Sequence, residues 1–307
     1  MIQVTNLSKS FGDLHAVKNI SFKINKGEVF GFLGPNGAGK STTINMMSTI
    51  LQSDKGTILV DGINLKENPN KCKGLIGVVP QEISLYDEFT AYDNLLFWGS
   101  IYNIPKNELK QRIDKILELI GLSDRKNDLI KNYSGGMKRR INIASALLHN
   151  PKILFMDEPT VGVDPQSRNR IFEVVEALNK QGMTIVYTTH YMEEVERLCN
   201  RIAIIDNGEI IAQGTQNELQ KKSNVNEAVE ITFESISGDQ VEKLKKELKG
   251  EIIQIDNTVA IACDVNKDLS SIISICNNEN LTIEDLELKK VNLEAIFLSL
   301  TGKQLRD

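Results

Sequence analysis

Residues 34 to 41 read GPNGAGKS, the spacing G-x-x-x-x-G-K-[ST], set between the apolar run VFGFL (29 to 33) and the helical pattern TTINMMSTIL (42 to 51). Strand, loop and helix in that order are the setting in which this spacing binds phosphate. Gly34, Gly37 and Gly39, with Pro35, Asn36 and Ala38 between them, let the backbone curl until successive N–H groups face inward as an anion nest. The helix that opens around Thr42 adds the positive end of its dipole. In such a loop Lys40 reaches the β and γ phosphates and the Ser41 hydroxyl binds Mg2+. That ion takes oxygen ligands and shares them with phosphates, so a carboxylate is required at another strand end. The run ILFMDEP (153 to 159) supplies Asp157 for the ion. Glu158 beside it is a second acid, able to orient or deprotonate a water for attack on a γ-phosphate.

The elements that must hold these residues are legible as alternation. VFGFL (29 to 33), LIGVVP (75 to 80), KILFMD (152 to 157), TIVYTTH (184 to 190) and RIAIID (201 to 206) read as strands, and three of them nearly lack polar residues, which suits a parallel sheet covered on both faces. DPQSRNRIFEVVEALNKQG and NELKQRIDKILELIGL read as helices, stopped at Gly182 and Gly121. The opening IQVTNLSKSF…LHAVKNISFKINKG instead predicts short antiparallel strands before the parallel core. A polar stretch from 213 to 227 reads as a linker. Beyond it the pattern predicts a β/α/β/β/α/β/α unit, with helices near 239 to 249 and 267 to 279. The expected division is residues 1–220 and 221–307, with a helical subdomain at about 85–150 in the first.

Composition excludes several classes. With 307 residues, 41% hydrophobic and 25% charged, the chain is globular, and a net charge of −5 does not recommend nucleic acid as a partner. The four cysteines, Cys72, Cys199, Cys263 and Cys276, show no CxxC spacing, which argues against zinc and a disulfide framework. The start MIQVTNLSKSFGD lacks a charged-then-apolar leader, and no run of about 18 apolar residues occurs. The expectation is a cytosolic chain that meets a membrane only through a partner.

Between the phosphate loop and the acid pair lies NYSGGMKRRINIASALLHNP (132 to 151), with Ser134 placed 94 residues after Lys40 and 23 before Asp157. Here the chain resembles the nucleotide-binding subunits of ATP-binding-cassette (ABC) transporters. Tyr133, Ser134, Gly135, Gly136 and Met137 stand where that family usually has LSGGQ. Other positions match in order. Gln81 matches the glutamine that senses Mg2+ and the membrane partner, and VGVD (161 to 164) matches the loop ending in an aspartate, Asp164. His190 matches the switch histidine at the γ-phosphate, and Phe11 the aromatic against adenine. His15 and His149 match nothing. The resemblance spans roughly residues 1 to 220. It implies a P-loop α/β fold of the ABC ATPase type, a mixed core sheet with an antiparallel portion and a helical signature subdomain, to which the small α+β C-terminal domain is added. It also implies ATP and Mg2+ as cofactors and a dimer, homomeric or heteromeric, in which Ser134 to Met137 of one subunit close over ATP on the other.

Use of the energy is read from weaker marks. Residues 86 to 102, YDEFTAYDNLLFWGSIY, hold six of 17 aromatics and Trp98, the one tryptophan. They read either as helix core or as part of a groove after Gln81 that grips a helix of a membrane subunit. Chromosome and repair relatives insert hundreds of coiled-coil residues before the signature, and translation-type relatives carry two cassettes, so a transporter subunit fits best. The form YSGGMKRR and the tail NLEAIFLSLTGKQLRD resemble the daunorubicin-resistance type of exporter ATPase. That implies export of a drug, antibiotic or lipid-like molecule through a separately encoded permease, at the cytoplasmic face of the plasma membrane. Tyr133 and Met137 depart from the commoner Leu and Gln, which bears on transport mode rather than on ATP use. The alternatives left open are a soluble regulatory or ribosome-associated ATPase, and sodium or polysaccharide export.

Overall fold

The computed structural model describes residues 1–223, 228–248, 252–263, 265–279, 281–289 and 293–301. They form two compact units, residues 1–216 and 217–304. The predicted family marks in the tail beyond residue 301 lie outside the described residues.

In the first unit β1 (Ile2–Phe11) and β2 (Leu14–Ile24) form a hairpin, followed by β3 (Val29–Leu33), α1 (Lys40–Met47), β4 (Lys55–Val60), β5 (Ile63–Asn64), α2 (Pro69–Lys73) and β6 (Ile76–Val79). The helical part comprises α3 (Ala91–Ser100), α4 (Lys106–Leu119) and α5 (Gly135–Leu147). Then come β7 (Ile153–Asp157), α6 (Pro165–Lys180), β8 (Thr184–Thr189), α7 (Met192–Leu198), β9 (Arg201–Asp206) and β10 (Glu209–Gly214). One sheet is antiparallel, in the order β2-β1-β4-β5. The other, β10-β9-β3-β8-β7-β6, is parallel except for its edge strand β10.

Successive strand side chains point to opposite faces, and both faces of the six-stranded sheet are apolar. Phe30, Phe32, Phe155 and Val186 join Ile2, Val4, Leu7 and Phe22 of the antiparallel sheet and Ile44 and Met46 of α1 in one core. Leu154, Met156, Ile185 and Tyr187 join Ile141 and Ala144 of α5 and Ile171 and Val175 of α6 in another. That two-sided burial is why these strands read as unbroken apolar runs. Phe22, Phe30 and Phe32 meet edge-on or stacked at 5.0 to 5.7 Å between ring centres.

The predicted linker is the main correction. Its first two residues finish β10, and Gln216–Ser223 form a helix, α8, with Leu219 fully buried. Seven of those eight residues are polar, so no apolar periodicity marks the helix, and one buried leucine anchors it. Residues 224–227 lie outside the described residues.

The second unit continues with β11 (Ala228–Phe233), α9 (Gly238–Glu247), β12 (Ile252–Ile255), β13 (Thr258–Ala262), α10 (Val265–Asn278), β14 (Ile283–Lys289) and α11 (Leu293–Thr301). The element order is the one its pattern predicts. Its sheet, β12-β13-β11-β14, is antiparallel, and Val229, Ile231 and Phe233 pack on Val241, Leu244, Ile272 and Cys276 in a core of its own. A reciprocal Ser237–Gln240 box caps α9.

Candidate functional site

The phosphate loop links β3 to α1, so its anchor is a strand hydrogen-bonded on both sides, to β8 and β9. Two glycines are required by the packing. Gly34 lies so close to the Ile205 carbonyl that any Cβ would overlap it, and Gly39 caps α1 at φ 103°, where a Cβ would fall 2.5 Å from the Ala16 carbonyl oxygen. Pro35 and Ala38 close a turn (N–H to O 3.2 Å), and the Gly208 N–H donates to the Ala38 carbonyl at 3.0 Å. Asn36 and Gly37 are exposed at its tip, while Ser41 and Thr42 are half-buried in the first turn of α1. Lys40 is 4% exposed, and its ammonium donates to the carbonyls of Gly34 at 2.8 Å and Pro35 at 3.1 Å.

At the end of β7 the chain turns through Glu158, whose φ of 45° is left-handed for a non-glycine residue. The Glu158 N–H donates to both the Thr188 hydroxyl (3.0 Å) and the Thr188 carbonyl (3.1 Å), which fixes that turn on β8. The same hydroxyl donates to Asp157 Oδ1 at 2.6 Å. The turn points Glu158, 5% exposed, at three partners. Its Oε1 lies 3.2 Å from Lys40 Nζ, and its Oε2 accepts from the Gln81 amide at 3.4 Å and faces His190 Nδ1 at 3.4 Å. Burial of a carboxylate is tolerated when a cation and a donor stand against it, as Lys40 and Gln81 do here. The structure thus brings together Lys40, Gln81, Glu158 and His190, from the ends of four strand-linked segments, at the carboxyl edge of the parallel sheet, where α/β folds bind ligands.

Ser134, Gly135, Gly136 and Met137 occupy a different place. Ser134 caps α5, accepting from the Met137 N–H at 3.2 Å. Gly136 packs against Ser167 so tightly that a side chain would overlap it. Ser167 belongs to the first turn of α6, which Asp164 caps by accepting the Ser167 N–H at 2.9 Å. The hydrogen bonds from Ser167 hold the Asp164 carboxyl below the usual carboxylate range. The signature turn and the Asp164 turn therefore sit side by side, each a helix start capped by its own side chain. Phe11 ends β1 opposite Leu14, 49% exposed, with the Lys9 ammonium 5.5 Å from its ring centre. Ser41, Asp157 and Gln81 offer the hard oxygen donors that Mg2+ prefers. Among the described residues no three His, Cys, Asp or Glu side chains converge, so this donor set suits an ion that shares its coordination with phosphate oxygens.

Sequence reasoning missed three positioning side chains. Thr188 is one. The others, Arg139 and Asn142, project from α5, the helix that Ser134 caps. The Arg139 guanidinium donates to the carbonyls of Pro80 (2.8 Å) and Gln81 (2.6 Å), and the Asn142 amide bonds Ser84 N (3.4 Å) and Glu82 O (3.3 Å). Four groups of the Gln81 segment are thus bolted to one helix. No signal local to Arg139 announces a target about 58 residues away. The same segment walls a cleft of about 510 Å3 lined by Pro80, Ser84, Trp98, Tyr102, Asn142 and Ala146, among others. Of the two readings of the aromatic stretch, helix core holds only in part. Tyr86, Phe89, Phe97 and Tyr102 are 39 to 46% exposed, with Tyr86 packed on Phe89 and Phe97.

A phosphate loop on a parallel strand, a strand-end acid pair and a separate capped Ser-Gly-Gly turn define a P-loop ATPase of the ATP-binding-cassette kind. The chain belongs to the ABC transporter family, whose model matches residues 17–161. It is an ATP-binding, ATP-hydrolysing subunit of that family, whose members work with membrane permeases and dimerise. It is 46% identical over 319 residues to the linearmycin resistance ATP-binding protein LnrL of Bacillus subtilis (strain 168), covering 100% of both chains. Over 309 residues it is 34% identical to the daunorubicin/doxorubicin resistance ATP-binding protein DrrA of Streptomyces peucetius, covering 100% of this chain and 94% of that one. Among solved structures it resembles the dimeric post-hydrolysis state of the ATP-binding cassette MJ0796 bound to ADP and Pi, with TM-score 0.63, 28% identity, and coverage of 70% of this chain and 98% of that one. No helix among the described residues is long and apolar enough to cross a membrane.

Proposed function

We propose that this chain powers export of a drug, antibiotic or lipid-like molecule through a separately encoded permease, working at the cytoplasmic face of the membrane. The full-length likeness to two antibiotic-resistance ATP-binding proteins supports the substrate class. One observation carries the catalytic assignment: the buried Glu158 carboxylate faces Lys40, Gln81 and His190 at 3.2 to 3.4 Å.

In this reading the triphosphate of ATP lies on the inward N–H groups of Gly34 to Thr42, with adenine against the exposed Phe11 ring. Lys40 exchanges its contact with Glu158 for the β and γ phosphates. Glu158, released, accepts a proton from the attacking water as its oxygen bonds Pγ and the bond from Pγ to the bridging oxygen breaks, leaving ADP and phosphate. Gln81 and His190 orient that water and the γ-phosphate oxygens. Ser41, Asp157 and Gln81 would hold Mg2+, which neutralises phosphate charge when bound. Ser134 to Met137 of a second nucleotide-binding subunit, a copy of this chain or a homologue, cover the γ-phosphate from across the interface, and Asp164 lies beside them. The cleft bordered by Pro80, Trp98 and Tyr102, with the exposed aromatics next to it, receives a short permease helix. Because Arg139 ties that wall to Gln81, occupancy of the cleft reaches the catalytic carboxylate.

The test is phosphate release from purified protein with Mg-ATP, for wild type, Lys40→Ala and Glu158→Gln, with and without membranes holding the neighbouring permease. Wild type hydrolyses ATP, both variants fall by at least about 100-fold, and the permease changes the wild-type rate. Hydrolysis indifferent to the permease sinks the transport reading and leaves the ATPase.

A further inference from the structure

Glu194 is a buried carboxylate with no part in the reading above. It lies on α7, four residues after His190, 1% exposed. It accepts from the Thr160 hydroxyl at 2.7 Å and the Tyr187 hydroxyl at 3.0 Å. Its third neighbour is Arg168, whose Nε stands 3.8 Å from Glu194 Oε1, buried and without a hydrogen-bond partner. The same guanidinium lies 5.1 Å from the centre of the Tyr191 ring, and Tyr191 packs on His190 with ring centres 4.1 Å apart. A cation over an aromatic face is attracted by the ring quadrupole, so Arg168 holds the Tyr191 ring in place. The His190 ring has no polar tether of its own at Nδ1, because its approach to Glu158 lacks hydrogen-bond geometry. Packing on Tyr191 therefore orients it.

Arg168 also belongs to the head of α6, where its N–H donates to the Asp164 carbonyl at 2.8 Å. We infer that Arg168 is a positioning residue: acting through the Tyr191 ring, and held by Glu194, it sets the His190 imidazole against Glu158 and ties that setting to the Asp164 turn. The inference rests on the proposed roles of Glu158 and His190. Its physical content is a contact chain that runs from a helix cap to the catalytic carboxylate without touching the phosphate loop. Movement of the Asp164 turn then changes the angle of His190 rather than nucleotide affinity.

The chain has only three histidines, so imidazole NMR of the full-length protein resolves each. His149, stacked on Tyr102 at 4.1 Å, is an internal control. Tyr191→Leu and Arg168→Met are expected to move the His190 ring signals, leave those of His149 in place, and lower kcat about tenfold with KM for ATP unchanged. Tyr191→Phe, which keeps the ring, retains both signal and rate, and Arg168→Lys recovers part of the rate. In a His190→Ala background Arg168→Met lowers kcat no further, the non-additivity of residues acting in series. His190 signals unmoved in Tyr191→Leu or Arg168→Met, or losses that multiply in the double variant, overturn the inference. Wild-type kcat in His190→Ala overturns the catalytic role of His190 instead, while the ring signals still decide the stack.

Discussion

Glu158 is directed by a backbone angle, φ 45°, that costs energy for a non-glycine residue and persists because Thr188 holds its N–H twice. Thr188 is consequently more than a strand residue. Thr188→Val, nearly isosteric, leaves the Asp157 carboxyl and the Glu158 N–H short of a partner and should cost about 1–3 kcal/mol in denaturant unfolding, with a lower rate of ATP hydrolysis. A second residue-scale expectation concerns pH. Burial lowers the His149 pKa from its ordinary 6.5, so the folded state prefers the neutral ring while the unfolded chain binds a proton more readily. That contribution to stability is intact above the unfolded value and is lost as pH falls from there through the lower folded one. Melting temperature should therefore fall more steeply between about pH 7 and about pH 5 for wild type than for His149→Phe. Equal slopes would show that His149 does not titrate with unfolding.

At the scale of elements, α5 joins two functions: its N-terminus presents the Ser134 turn, and its side carries the Arg139 fork that grips the Pro80 and Gln81 carbonyls. Lysine cannot span two carbonyls with a planar fork. Arg139→Lys should keep ATP affinity yet lose about tenfold in hydrolysis and most of the response to permease, compared by nucleotide titration and phosphate release. This helix also shows where sequence reading succeeds and stops. The parallel strands were legible because two-sided burial writes itself as unbroken apolar runs, and the phosphate loop, Asp157 and Glu158 because their chemistry is contiguous. Ser134 and Asp164 were legible as motif positions, and their capping geometry follows from local chain rules. Arg139, Asn142 and Thr188 were not, since their targets lie 30 to 60 residues away and a lone polar residue in a helix or strand carries no trace of its partner. The α8 helix was hidden for a related reason: one buried leucine makes no period.

At the scale of the whole molecule, two units with separate cores share one chain. We expect the Glu158→Gln chain to pair at millimolar ATP by light scattering, and deletion of residues 222–307 to weaken that pairing without abolishing ATP binding. Unchanged pairing after the deletion removes the C-terminal unit from the dimer contacts. The order of the central sheet has a consequence for synthesis. The strand that carries the phosphate loop is among the first made, yet its sheet neighbours are β8 and β9, pairing Val29 with Ile185 and Phe30 with Arg201. At about 5–20 residues per second the ribosome needs roughly 10–30 s to deliver them. Through that interval VFGFL has no sheet to join, and the ATP site can form only when the last parallel strand clears the exit tunnel. We expect nascent chains shorter than that point to be the form of this protein most exposed to aggregation.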